Sequence, residues 1–198
     1  MKISIPDSPA KVFKLSTPMH LLAKLRWEIA GFERSQRNKG LYRHLLPAYH
    51  AFNCAVTAWH MTDWIWEYVG PDSQVDLATT YKLKNVNLRS FQDAVAQMSR
   101  AINACQEIAN GSKHREVRRK RADPYVRAEE AWAELEPSAT DARRYGTVWL
   151  IRDQSGVRPA LDVFREAADY WCGVLSPWME DTFIEGGTVR GKHRRRAS

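Results

Sequence analysis

One stretch of the chain, residues 49–68, combines an apolar face with a polar stripe. No glycine or proline interrupts it, and at 100° per residue its side chains separate into two arcs. The polar arc spans roughly 140° and holds His50, Asn53, Thr57, His60, Asp63 and Glu67, with Val56 and Trp64 among them. The opposite arc holds Ala51, Cys54, Ala55, Ala58, Trp59, Met61, Ile65 and Trp66. The pattern predicts a core helix with one polar stripe.

A first helix is predicted before residues 49–68, and a helix-breaking Gly-Pro pair follows them. Thr17 can cap the first helix, Pro18 suits its first turn, and the helical spacing continues to about Gln36. The Gly-Pro pair at 70–71 should end the central helix, so the polar residues 72–86 are expected to form a loop or a short helical turn. A basic cluster follows the first helix and consists of Arg34, Arg37, Lys39 and Arg43.

A third helix is predicted from about Leu88 to Ala109, where Asn110 and Gly111 suit the left-handed end of a helix. Its apolar stripe consists of Phe91, Val95, Met98, Ile102, Cys105 and Ile108. Residues 1–16, which are interrupted by two prolines, are expected to be extended.

The C-terminal part of the chain predicts a hairpin and a last helix. Ala128 to Leu135 is predicted as a short helix, with a mobile loop as the alternative. The alternating residues from Tyr145 to Arg152, the turn signal at 153–156 and a partner strand at 157–161 predict a hairpin at about 145–161. The last helix should run from about residue 162 to 177. Its core-facing residues would be Val163 or Phe164, Ala167 or Ala168, Trp171 and Leu175.

These elements predict a mainly α fold: a four- or five-helix bundle with a β-hairpin before the C-terminal helix. Residues 1–186 are expected to form a single domain, because 198 residues suffice for one core. Residues 187–198 would form a basic disordered tail. No run of eighteen apolar residues and no signal-peptide core are present, so a cytoplasmic protein without membrane contact is expected.

The net charge of +7 is concentrated in two segments. Residues 113–121 and the tail carry about five net positive charges each, which leaves the body slightly acidic. Such segments can bind phosphate backbones through counterion release; the alternative is a solvated linker and a disordered tail. The candidate nucleic-acid-binding residues are Arg115, Arg118, Arg119, Lys120 and Arg121.

The end of the third helix carries the first candidate for chemistry. Asn110 is followed four residues later by His114, beside the cation Lys113. Histidine can act as a general acid or base near neutral pH, and a cation can stabilise the charge of a phosphorane, as cleavage of RNA by its 2′-hydroxyl requires. The alternative interpretation of His114 is a histidine stabilised by the helix dipole.

This arrangement resembles the motif region of HEPN domains, which are small helical bundles in bacterial toxin and phage-defence proteins. Many of them are metal-independent ribonucleases that act as dimers. Their signature is an Arg, often followed by a polar residue such as Asn, and a His that is separated from the Arg by four to six residues. His114 matches the His and Asn110 the polar residue, whereas Ala109 stands where the family has Arg. Lys113, Arg115 or another cation would then have to replace that Arg.

A second pair, Arg37 and His44, also has the family's spacing but lies between the first two helices. The resemblance to HEPN domains implies a metal-independent endoribonuclease, with RNA as substrate and a homodimer or a partner protein as assembly. If the second and third helices are antiparallel, His114 lies near His50, which would join the site.

His60 and Asp63 form the second candidate, because they lie one helical turn apart on one face. His50 lies about 15 Å from His60 along the axis, so one metal ion cannot bind both. A buried polar network, in which Asp63 orients His60, is expected instead, with no metal and no other cofactor.

The three cysteines (Cys54, Cys105 and Cys172) are expected to be free buried thiols without zinc-motif spacing. Most of the eight tryptophans should pack in the core, and Trp132 and Trp178 are expected to be exposed. Three hypotheses follow. The first is a HEPN-like RNA-directed protein. The second is a non-catalytic bundle that binds a partner protein or nucleic acid through basic segments. The third is a metal-dependent helical oxidase.

Overall fold

A computed structural model of the chain describes residues 15–37, 45–113, 125–135 and 144–179. The described elements in chain order are α1 (Pro18–Ser35), α2 (Leu45–Thr80), α3 (Leu88–Met98), α4 (Arg100–Lys113), β1 (Arg127–Leu135), β2 (Arg144–Asp153), β3 (Gly156–Pro159) and α5 (Ala160–Met179). The predicted mainly α fold, with strands before the C-terminal helix, is confirmed. Within the described ranges no helix combines the length and apolarity needed to cross a bilayer.

The core lies between α1, α2, α4 and α5 and is built on the apolar arc of α2. Every member of that predicted arc except the half-buried Ala51 is buried. The Trp171 indole of α5 is fully buried and donates a hydrogen bond to the Ala58 carbonyl oxygen, 2.8 Å away. Phe32 of α1 meets Phe164 of α5 edge to face, with ring centroids 5.5 Å apart. These contacts hold α1 and α5 against α2 by apolar burial and aromatic packing.

The first helix begins as predicted. Thr17 has extended backbone, and its Oγ1 accepts a hydrogen bond from the His20 backbone N–H at 3.2 Å. Pro18 occupies the first turn, where a missing N–H does no harm. This cap fixes the start of α1, while residues 1–14 and their expected extended structure lie outside the described part.

Gly70 kinks α2 instead of ending the helical segment. Its φ of 73° and ψ of 173° are not helical, but the chain re-enters the helix at Pro71 and continues to Thr80. The Gln74 side-chain amide donates to the Trp66 carbonyl oxygen, 2.9 Å away, which supplies a partner for a backbone group near the kink. Leu77 is buried in the core beyond the kink. The loop predicted for residues 72–86 is therefore limited to the positions after Thr80.

The predicted third helix is two helices, separated at Ser99. Ser99 has extended backbone, with φ −127° and ψ 111°, and its hydroxyl accepts from the Ile102 backbone N–H at 3.3 Å. Val95 and Ile102 lie on opposite sides of the break and are both buried, so the spacing of the apolar residues does not indicate that the helix is interrupted. Met98, which the stripe placed in the core, has 65% of its surface exposed.

The segment predicted as a short helix or a mobile loop is strand β1. It pairs antiparallel with β2 from Arg127, opposite Arg152, to Leu135, opposite Arg144. Glu129 and Arg152 form a cross-strand ion pair at 3.0 Å. The Ala- and Glu-rich composition favours a helix locally, but pairing with β2 satisfies the backbone along the whole segment. The predicted hairpin is thus formed by β2 and β3 of a three-stranded sheet in the order β1–β2–β3, with β2 in the centre.

The turn of the predicted hairpin is confirmed and is anchored to the bundle. Asp153 accepts a hydrogen bond from the Ser155 backbone N–H at 2.8 Å, and Gly156 adopts a φ of 127° that favours glycine. Arg100, at the start of α4, donates to both carboxylate oxygens of Asp153, each 2.9 Å away. Arg158 lies 3.6 Å from the same carboxylate and donates to Glu166 of α5 at 2.6 Å. Asp153 therefore joins the sheet to the helices.

Replacement of this carboxylate should weaken the fold in a pH-dependent way. Burial favours the neutral form of Asp153, but the hydrogen bonds from Arg100 and Ser155 and the nearby charge of Arg158 outweigh it and hold the pKa of the carboxyl below its ordinary 3.8. A lowered folded-state pKa stabilises the fold above the unfolded pKa, and this contribution is lost as pH falls through the folded pKa. Asp153→Asn should reduce the free energy of unfolding at pH 7 by about 1–3 kcal/mol.

Urea unfolding across pH 2.5–7 would measure this effect. The loss of unfolding free energy in Asp153→Asn should persist above pH 4 and become smaller below it. Asp93→Asn is the matched control, because Asp93 is half-exposed and pairs with Arg89 only across one turn of α3; its deficit should stay below about 0.5 kcal/mol. An equal deficit for the two variants would contradict the anchoring role of Asp153.

The three cysteines should differ in reactivity. Cys54 and Cys105 are free and fully buried, and burial raises the pKa of the Cys54 thiol and raises that of Cys105 to about 12. Cys172 is free and half-buried. Because the thiolate is the reactive form, a thiol reagent at pH 8 should modify Cys172 first, and the other two only after guanidinium unfolding. Rapid reaction of two or more thiols in the native protein would contradict this burial.

Candidate functional site

The sequence-predicted site at the end of α4 is only partly within the described residues. Asn110 is half-buried on α4, next to the buried Ala109, and Lys113 is the last residue of that helix. His114 and the basic residues 115–121 lie outside the described part, as does the tail from residue 180. The nuclease site at His114 and its pairing with His50 therefore remain predictions.

The polar stripe of α2 divides between two neighbouring helices. The Asp63 carboxylate accepts a hydrogen bond at 3.3 Å from the Gln92 amide of α3, which also donates to the Thr62 hydroxyl at 3.3 Å. No hydrogen bond joins Asp63 to His60 within the described ranges. Asp63 thus contacts α3, the following helix. The predicted hydrogen bond by which Asp63 would orient His60 is not seen among the described residues.

A depression of about 430 Å³ lies between the end of α1 and the start of α2. These two ends come together because the helices are antiparallel: Lys24 contacts Thr57, and Gly31 contacts His50. The residues that line the depression are Gly31, Arg34, Ser35, Arg37, Leu46 and His50. Among the described residues it is therefore lined by three basic side chains and no carboxylate.

Gly31 permits the close approach of His50. A Cβ atom built at Gly31 would lie 2.9 Å from both Nδ1 and Cε1 of the His50 ring, which is well inside van der Waals contact. The imidazole therefore rests on the bare backbone of α1, beside Arg34 and Arg37. No other residue type leaves this space, so the glycine sets where the ring lies.

The arginine charges of the depression are only weakly compensated. Arg34 is exposed, and no carboxylate of the described chain pairs with it. The side chain of Arg37 is 79% exposed, and its Nη2 lies 3.7 Å from a Glu33 oxygen, beyond hydrogen-bond distance. Glu33 instead accepts a hydrogen bond from Arg165 of α5 at 3.0 Å. Both guanidinium groups can therefore donate to an anion.

The carbonyl groups at this end of α1 do not oppose such an anion strongly. A helix C-terminus carries partial negative charge on its free carbonyls. Here the Phe32 carbonyl accepts from the Gln36 backbone N–H and the Ser35 hydroxyl, at 3.2 and 2.7 Å, and the Arg34 carbonyl accepts from the Arg37 backbone N–H at 3.2 Å. The partial charge is thus partly neutralised where the depression opens.

A second depression, of about 250 Å³, lies between α1 and α5 and suits an anion less well. Its arginines are Arg26 and Arg165, but Asp169 also lines it and Arg165 is bonded to Glu33. The acidic groups offset the cations. The depression at His50 is therefore the better candidate site.

A buried ion pair next to the candidate site was missed by the sequence reasoning. Lys24 donates to Glu28 and, at 2.7 Å, to the Thr57 hydroxyl of α2. Glu28 is buried, and its second carboxylate oxygen has no hydrogen-bond partner among the described residues. The only signal was the spacing of four residues between Lys24 and Glu28. This cluster links α1 to α2 two turns before Gly31 and so helps to fix the position of His50.

Comparisons of the chain with protein families, with curated proteins and with solved structures find no match. Among the described residues, no three or more His, Cys, Asp or Glu side chains gather as they would around a metal ion. The function must therefore be argued from the geometry of the depression itself. His50 was a sequence-predicted site residue. Its neighbour Arg34 was noted only in a basic cluster, and Arg37 in that cluster and in the pair with His44.

The contact between Gly31 and His50 can be measured by a double-mutant cycle. In a helix, Gly→Ala stabilises by about 1 kcal/mol, but here the new methyl group would collide with the ring. Gly31→Ala should therefore stabilise the His50→Ala protein by about 1 kcal/mol and should give no gain, or a loss, when His50 is present. Thermal and urea unfolding of the four proteins would provide the coupling energy. Equal effects of Gly31→Ala in both backgrounds would contradict the contact.

Proposed function

We propose that this protein is a HEPN-like, RNA-directed protein whose depression between α1 and α2 binds a backbone phosphate. The observation that carries the proposal is the position of His50 beside Arg34 and Arg37 in one open site, where no carboxylate of the described ranges lines the surface. Guanidinium groups bind phosphate oxygens through paired, charge-assisted hydrogen bonds. The exposure of both arginines leaves those donors available.

The same residues supply what metal-independent RNA cleavage requires. In that reaction the 2′-oxygen loses its proton and attacks the adjacent phosphorus, the bond from phosphorus to the 5′-oxygen breaks, and that oxygen gains a proton. A 2′,3′-cyclic phosphate and a 5′-hydroxyl result. Imidazole can transfer one of these protons near neutral pH. Arg34 and Arg37 would stabilise the negative charge that develops on the phosphate oxygens.

The pair Arg37 and His44 has the spacing of the HEPN signature, although it lies between the first two helices, which is not where the family carries its motif. Arg37 is followed by the polar residue Asn38, and His44 comes next with the family's spacing. Arg37 lines the depression that contains His50, while residues 38–44 lie outside the described part. The match at Asn110 and His114 lies at the end of a bundle helix, where the family carries its motif, but lacks the Arg that the pair at Arg37 has.

A second candidate function is phosphate binding without catalysis, by a bundle that uses the depression and the basic segment 115–121 to hold nucleic acid. One observation favours it: no described residue forms a hydrogen bond with the His50 ring. A catalytic histidine is usually oriented by such a partner. The two candidates differ in whether RNA is cleaved, and not in where it binds.

An RNA cleavage assay would separate these candidates. Purified protein would be incubated with total RNA and tRNA, with and without EDTA, beside four altered proteins. His50→Ala should reduce the cleavage rate by about 10²–10⁴-fold, and Arg34→Ala/Arg37→Ala should reduce it as well. Arg89→Ala, an exposed arginine of α3 outside the depression, is the control and should retain the wild-type rate.

The fourth variant, His114→Ala, locates the chemistry. Loss of cleavage in His114→Ala but not in His50→Ala would contradict the proposed site and favour the end of α4. RNA binding without cleavage, weakened by the double arginine substitution, would support the non-catalytic candidate. Absence of both binding and cleavage by folded protein would overturn the RNA-directed function.

A further inference from the structure

Trp27 is the most exposed aromatic side chain in the described part of the chain, with 65% of its surface accessible. The sequence pattern placed most tryptophans in the core, and Trp59, Trp66 and Trp171 are indeed buried there. An exposed indole forgoes about 1.5–3 kcal/mol of burial free energy. Tryptophan combines an apolar ring with a polar N–H and is enriched at binding interfaces.

The position of Trp27 relates it to the depression. Trp27, Gly31 and Arg34 follow each other at intervals of four and three residues along α1, so they lie within an arc of about 60° on one face of the helix. Gly31 and Arg34 line the depression. Trp27 is about 6 Å from Gly31 along the axis, one turn before the site. Trp27 therefore lies one helical turn from the proposed phosphate site, on the same face of α1.

The charges near Trp27 are basic on the exposed side of α1. Arg26 and Arg34 are exposed, while Glu28 is buried and paired with Lys24. Arginine and lysine side chains that alternate with an exposed aromatic ring are characteristic of surfaces for single-stranded nucleic acid. On such surfaces the cations hold the backbone and the ring stacks on a base, whatever the sequence of that base.

We infer that Trp27 is a stacking platform for an unpaired base of single-stranded RNA whose adjoining phosphate occupies the depression at His50. This inference rests on the proposed function and deepens it, because it names single-stranded RNA as the substrate class. A base in a duplex is covered by its neighbours and cannot stack on an added side chain. Single-stranded loops and tails would bind, and a fully paired stem would not use Trp27.

The test compares two probes of equal length and charge by fluorescence anisotropy at fixed salt. One is a labelled eight-nucleotide oligoadenylate, and the other is the same backbone with abasic positions. Stacking on an aromatic side chain is worth about 1–3 kcal/mol per base, so Trp27→Ala should weaken oligoadenylate binding about 5- to 150-fold. It should leave the affinity for the abasic probe unchanged. Trp27→Phe should retain part of the difference, and Tyr68→Ala, an exposed aromatic on the far part of α2, should retain all of it.

The outcomes distinguish this inference from the proposed function. Arg34→Ala/Arg37→Ala should weaken both probes, and failure of that result would overturn the phosphate site and the stacking inference together. If the arginine variant weakens both probes but Trp27→Ala affects neither, or both equally, only the stacking inference fails. Sedimentation of wild type and Trp27→Ala supplies a further check, since a dimer that dissociates in the variant would assign Trp27 to contact with a second copy and would overturn stacking.

Discussion

The architecture depends on how closely α1 can lie against α2. At Gly31 the absence of a side chain brings the backbone of α1 against the His50 ring, and seven residues earlier Lys24 reaches across to Thr57. Between these two contacts Glu28 is buried beside Lys24. An ionised group is tolerated in such a place only with a partner, so the ion pair constrains the register of the two helices. The depression at their ends exists because this register brings the end of α1 opposite the start of α2.

The apolar core and the polar contacts have different roles in this arrangement. Burial of the α2 arc against α1, α4 and α5 supplies the main driving force for folding, but apolar contacts are non-directional and tolerate small shifts. Directional contacts then select one arrangement: Trp171 donates to Ala58, and Arg100 clamps Asp153. The Asp153 contact attaches the sheet to the bundle, because α4 begins where the turn between β2 and β3 approaches it. The sheet thereby gains a fixed position although its strands contribute few residues to the core.

The candidate site follows from the same constraints. His50 belongs to the polar stripe of α2 and rests on α1 because Gly31 leaves space for it. Arg34 reaches the depression from the last turn of α1 and Arg37 from just beyond it, where cations are compatible with the helix dipole. Trp27 lies one turn earlier on the same face. The cationic depression matches the chemistry of a phosphate group, and the aromatic ring of Trp27 matches that of an attached base.

The sequence by itself determined the mainly α fold, the start of α1 at Thr17, the buried arc of α2 and the turn at Asp153, because each depends on local spacing or local backbone chemistry. Only tertiary structure decided that β1 is a strand, since its Ala and Glu residues favour a helix until β2 offers a full set of backbone partners. It also decided the break at Ser99, which leaves the apolar spacing intact. The neighbours of His50 were likewise undetermined, because periodicity shows which face of a helix is polar but not which helix lies against it.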